Sequence, residues 1–291
     1  MLDRRIAYVT GLPRAGSTLL CQLLGVHPDI YSIGHSSPLA HALQKLRYNL
    51  SDDPFLLAQM DVEFDVVYAR LMRAYRGFMN GWFAEASEPL VVDKNRAWLG
   101  MVDTVHHLDP DFRMLVCVRE PGQIYGSVEA QHQKTLLLDF PDHLAGHSRY
   151  TRADKLFKDS GVIGQPLRAI QALQDLAPEL RQRLYFVVFE RLMSDPHAVM
   201  QDLFKWLELP ALELDLDELP TRPGESDSHY RFKYPHRTYA HIRKPERHAV
   251  PARIEQDIRK GFEWFYREFY PGLLGNRSGA TGQAEKPDTE H

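Results

Sequence analysis

The stretch Gly11-Leu12-Pro13-Arg14-Ala15-Gly16-Ser17-Thr18-Leu19-Leu20 follows the apolar run Arg5-Ile6-Ala7-Tyr8-Val9-Thr10 and opens another. It reads as a strand, a tight loop with two glycines, and a helix beginning at a Ser-Thr pair. Such a loop aims backbone N–H groups into a concavity at a helix N-terminus, which suits an anion. The common phosphate loop, G-x-x-x-x-G-K-[ST], carries a lysine that reaches a γ-phosphate. Here Ser17 occupies the lysine's place, and Arg14 supplies the loop's positive charge.

Outward from the loop, the runs at 90–93, 113–118 and 184–189 are again apolar without strict alternation, as strands buried on both faces of a parallel sheet are. Helical patterns separate them: Ser17–Val26, a helix-rich insert from Pro38 to about Glu85, Ala97–Leu108 and Gly122–Lys134. Asp195 with Pro196 signals another helix start, and Ile254, Ile258, Phe262, Phe265 and Phe269 mark one amphipathic helix near the end. Strand alternating with helix predicts a three-layer α/β fold around a mostly parallel sheet. We read residues 1–275 as one domain and the polar residues 276–291 as a disordered tail. Ligands of such sheets bind at the carboxyl ends of the strands. Arg14, Lys94, Arg119 and Glu190 each follow a strand, so all four are expected on that rim. Residues 213–248, rich in Pro, Arg, His and Tyr, read as an irregular segment that serves as a lid.

The composition is that of an ordinary globular chain, 44% hydrophobic and 25% charged. There is no uninterrupted apolar stretch of the roughly 20 residues that a membrane span needs and no signal-peptide core, so a cytoplasmic location is the default expectation. Cys21 and Cys117 sit in apolar runs and read as reduced core thiols. A net charge of −4 argues against broad nucleic-acid binding, so positive charge for an anion must be local. His143 and His147 have i, i+4 spacing without the glutamate of a zinc-protease helix, and no metal is expected.

A second element sharpens the reading. In Val118-Arg119-Glu120-Pro121-Gly122-Gln123-Ile124-Tyr125-Gly126-Ser127, an arginine directly follows a strand and a serine sits eight residues later on the next helix. Both could reach a further phosphate. At this point the chain resembles the sulfotransferases that use 3′-phosphoadenosine 5′-phosphosulfate (PAPS). The opening loop resembles their 5′-phosphosulfate loop in its arginine-containing form, and the Arg119–Ser127 element resembles their 3′-phosphate element. The segments at 91–98, with Lys94, and 187–210 resemble later parts of the same fold. The resemblance implies a donor held by Gly11, Pro13, Arg14, Ala15, Gly16, Ser17, Thr18, Arg119 and Ser127. It also implies that Arg243 and Lys244 close a basic late loop over the 3′-phosphate. PAPS has no γ-phosphate, and a sulfuryl group carries less charge than a phosphoryl group, so fixed donors and cations suffice without Mg²⁺.

Sulfuryl transfer to a hydroxyl needs a base for the acceptor's proton. Counting from Arg14 without gaps, the position of the glutamate base in protein-tyrosine sulfotransferases falls on His35. A neutral imidazole can serve, but the departure puts protein-tyrosine sulfation in doubt. His106 and His107 are rivals for the role. The resemblance therefore implies an enzyme with Arg14, His35 and Lys94 at the reacting centre and a small-molecule or lipid acceptor. A kinase using ATP and a non-catalytic nucleotide-binding relative are the alternatives. Whether the chain pairs as a homodimer is left open by the sequence.

Overall fold

A computed structural model describes residues 1–138, 143–227 and 231–274. In chain order the first half runs β1 (Arg5–Gly11), α1 (Ser17–Leu24), β2 (Ile30–Tyr31), α2 (Leu39–Ser51), α3 (Pro54–Trp82), β3 (Leu90–Lys94), a 3₁₀ turn (Arg96–Gly100), α4 (Val102–Leu108), β4 (Arg113–Val118) and α5 (Pro121–Lys134). The second half runs α6 (Arg149–Phe157), α7 (Gly164–Ala172), α8 (Pro178–Arg181), β5 (Leu184–Val188), α9 (Phe189–Ser194), α10 (Pro196–Trp206), β6 (Glu225–Asp227), β7 (Arg231–His236), α11 (Ala252–Gly261) and α12 (Glu263–Phe269).

Five parallel strands form one sheet in the order β2-β3-β1-β4-β5. Ala7, Tyr8 and Val9 of β1 are wholly buried because helices cover both faces. Alternate residues take opposite faces. Cys117, across from Gly11, faces Cys21 of α1, while Tyr8 packs edge-on to Trp98 of the 3₁₀ turn at 4.9 Å. Both cysteines are free and buried. The chain leaves β1 toward β2 and leaves β4 toward β5, so the strand order reverses between β1 and β4, and a crevice opens at their carboxyl ends.

The α/β reading holds, with local differences. The short β2 lacks an apolar run of its own and is held by pairing with β3. The helix expected over Ala97–Leu108 begins as the 3₁₀ turn, capped by the Asn95 side chain accepting from the Ala97 N–H at 2.8 Å. The single C-terminal helix is two, broken at Phe262 (φ −127°, ψ 36°), which is buried with Ile254, Ile258 and Phe265. No helix among the described residues is long and apolar enough to cross a membrane. The tail expected over 276–291 lies outside the described residues.

Candidate active site

The loop after β1 is pinned at both ends. The Leu12 N–H donates to the Cys117 carbonyl at 2.9 Å, drawing the end of β1 against β4. Gly16 has φ 84°, and a Cβ there would lie 2.5 Å from the Phe189 ring, so glycine is required by both conformation and space. Arg14 also takes the left-handed region, at φ 58°. No side chain caps α1, so the N–H groups of its first turn have no side-chain acceptor.

Two elements from separate strands meet at this loop. Arg119 Nη1 donates to the Arg14 carbonyl at 3.0 Å, and Arg14 Nε donates to the Ser127 hydroxyl at 3.4 Å. The Arg119 guanidinium lies over the Phe189 ring at 4.5 Å, and its Nε is buried without a hydrogen-bond partner. Burial pulls the Arg119 pKa down, with Glu190 opposing and Arg14 adding to the effect. An anion placed here would offset that cost. Glu120 caps α5 by accepting from the Gly122 and Gln123 N–H groups at 3.0 and 2.7 Å. Ser127, Ala130, Gln131 and Lys134, at helical spacing, line the same cleft.

The segment read as irregular carries the antiparallel pair β6–β7, with Glu225 opposite His236, and its described residues are bonded to both walls of this cleft. On one side Gln22 Nε2 donates to the carbonyls of Pro220 and Tyr239 at 2.9 and 2.7 Å, and Thr18 Oγ1 lies 3.2 Å from His236 Nδ1. On the other, Gln123 and His248 exchange hydrogen bonds of 3.0 and 2.9 Å. Arg243 stacks on Tyr239 at 3.7 Å. The cleft, open to solvent on one side, measures about 760 Å³, within the range of small-molecule and cofactor sites. Among the described residues, Arg14, Arg119, Lys134, Arg237, Arg243 and Lys244 line it against one acid, Glu246. A chain of net charge −4 thus concentrates positive charge at one place.

Of the residues singled out from sequence, Arg14, Gly16, Ser17, Thr18, Arg119, Ser127, Arg243 and Lys244 line this cleft. Gly11, Pro13 and Ala15 are buried and shape the loop beneath it. Lys94, 5% exposed, and His35, half-buried, lie on the β3 side of the rim, where Ser36 pairs with Lys94 and the Ser37 N–H donates to the Lys94 carbonyl at 2.9 Å. Since Lys94 is the register partner of Val9, the rim runs from His35 and Lys94, through the β1 loop, to Arg119. His106 and His107 are not there: they end α4, at the opposite edge of the sheet beside the start of β4. Glu190 reaches the rim but accepts from the Glu120 N–H at 3.4 Å and the Tyr270 hydroxyl at 2.6 Å. His147 bonds Lys155 at 2.8 Å, and no metal-binding cluster occurs among the described residues. Lys134, His236 and His248 were missed; only Lys134 had a signal, seven residues beyond Ser127 on one helix face.

Residues 7–213 match the model of the sulfotransferase family. Among solved structures, a sulfotransferase from Alicyclobacillus acidocaldarius superposes with a TM-score of 0.53 at 14% identity, over 95% of this chain and 98% of that one. The sulfotransferase domain of the curacin biosynthetic pathway gives 0.47 at 18% identity (90% and 99% covered), and that of the Synechococcus olefin synthase 0.45 at 20% (75% and 78%). No curated protein matches the sequence. With the family model spanning most of the chain, from within β1 to beyond α10, the protein belongs to the sulfotransferase family.

Proposed function

We propose that the chain transfers a sulfuryl group from PAPS to a hydroxyl of a small-molecule or lipid acceptor. The observation that carries this reading is the junction of Arg119, Arg14 and Ser127, where the β1 loop and the element after β4 meet in one basic cleft. The β1 loop and the start of α1 would take the 5′-phosphosulfate, and Arg119 with Ser127, Arg243 and Lys244 the 3′-phosphate. The buried Arg119 Nε fits this, because it is a cationic donor without a partner.

The acceptor oxygen attacks sulfur, the S–O bond to the 5′-phosphate breaks, and its electron pair leaves on adenosine 3′,5′-bisphosphate. His35 takes the acceptor's proton, while Arg14 and Lys94 stabilise charge growing on the departing oxygen. Incubation with PAPS and a panel of alcohols should release bisphosphate in step with sulfated product, with EDTA present. Release that needed Mg²⁺, or no release with any alcohol, would count against the proposal.

A further inference from the structure

Asn95, two residues before the 3₁₀ turn's second residue and directly after Lys94, has every hydrogen-bonding group engaged. Its N–H donates to the Val9 carbonyl at 3.0 Å, tying it to β1. Its Oδ1 accepts from the Ala97 N–H at 2.8 Å, starting the 3₁₀ turn. Its Nδ2 donates to the Ser37 carbonyl at 2.5 Å and lies 3.2 Å from His41 Nδ1 on α2. Since the amide nitrogen can only donate, His41 Nδ1 is the acceptor there. Asn95 is 8% exposed, so these bonds form away from water and fix its orientation.

Ser37 is thereby held from both sides. Its N–H is spent on the Lys94 carbonyl, its carbonyl on Asn95, and its Oγ accepts from the Leu39 N–H at 3.0 Å at the start of α2. His35 lies two residues earlier on the same short segment, and Ser36 between them pairs with Lys94. Asn95 therefore ties the loop bearing His35 to the strand end bearing Lys94 through its side-chain amide, and holds that strand end to β1 through its backbone N–H.

We propose that Asn95 is a positioning residue that holds His35 in register with Lys94 and the phosphate loop through the Ser37 carbonyl. The proposal rests on the sulfotransfer reading and on His35 as its base. Asn95→Asp suits the test: it keeps the shape and the acceptor for Ala97 but removes the donors to Ser37 and His41. A displacement near 1 Å at a reacting group can cost about a hundredfold in rate. Asn95→Asp should therefore lower kcat by about 10- to 100-fold and leave bisphosphate affinity within about twofold, a split that general loosening of the fold would not produce. In a His35→Ala background the same change should cost less than about threefold, because residues acting through one another are non-additive.

Full additive loss in that background, an equal loss of bisphosphate affinity, or unchanged kcat would overturn the proposal, as would normal turnover by His35→Ala alone. If Asn95→Asp does not fold, Asn95→Ser carries the cycle, since it keeps an acceptor for Ala97 and lacks reach to Ser37. Failure of the wild type to bind bisphosphate would instead strike the sulfotransfer reading, and this proposal with it.

Discussion

Arg119→Ala should strip the cleft of its ability to tell a bisphosphate from a monophosphate. The side chain is 8% exposed, and its Nε has no partner. A charge-assisted hydrogen bond contributes roughly 1.5–3 kcal/mol, so losing it should weaken adenosine 3′,5′-bisphosphate about tenfold to a hundredfold. Arg119 also props the phosphate loop, through Nη1 to the Arg14 carbonyl at 3.0 Å. That bond is worth about 1 kcal/mol net, so adenosine 5′-monophosphate should weaken too, by no more than about fivefold. Ser127→Ala removes a neutral hydroxyl and should cost the bisphosphate about fivefold. The assay is calorimetric titration of both nucleotides at one fixed low salt, because exposed cations at the cleft mouth are screened as salt rises. Equal losses for the two nucleotides on Arg119→Ala would refute the assignment of Arg119 to the 3′-phosphate.

Four further outcomes are expected. His35→Ala should keep bisphosphate affinity and lose about 10²–10⁴-fold in turnover, and Lys94→Ala should lower kcat by more than it weakens bisphosphate; near-normal turnover would remove either residue from the chemistry. Burial pushes the Asp93 carboxyl up to about 6, against hydrogen bonding from Ser37 and from Trp98 Nε1, the latter at 2.6 Å. A raised folded-state pKa in an acid means the fold is penalised above it and relieved as pH falls through it. Wild type should thus gain about 2 kcal/mol on Asp93→Asn between pH ~7 and ~4.5 in denaturant titrations; a pH-independent difference would contradict this. Burial, aided by Arg119, Lys134 and Arg14 and opposed by Glu246, holds the His248 pKa down. A bound phosphate should raise it, so bisphosphate binding should draw a proton onto His248 and that share of the affinity should grow as pH falls. The uptake should show in buffers of different ionisation enthalpy and vanish in His248→Gln; its absence in wild type would sink the coupling.

The sheet was legible because β1, β3 and β4 are buried on both faces and read as apolar runs, and because β5, partly buried at the sheet's edge, is apolar throughout. Much of the lining of the basic cleft was legible because its parts are local: a loop fixed by glycine at Gly16, and Arg119 and Ser127 separated by two helical turns. What the sequence hid is held by distant contacts. His236 comes to Thr18, and His248 to Gln123, through a segment with no periodicity, so nothing near those histidines announces the cleft. Asn95 looked like one polar residue in a loop, and its importance appears only once Val9, Ser37 and His41 surround it. His106 and His107 could be set aside only when α4 was seen to run back to the far edge of the sheet.

The central claim is that the basic cleft is built for an adenosine carrying phosphates at both the 3′ and 5′ positions. The direct measurement is titration of the wild-type protein, with EDTA present, with adenosine 3′,5′-bisphosphate, and in parallel, with Mg²⁺ supplied, with ATP. The account predicts saturable, metal-independent binding of the bisphosphate and at least tenfold weaker binding of ATP, about 1.4 kcal/mol. Binding of ATP with Mg²⁺ that matched or exceeded that of the bisphosphate would contradict it.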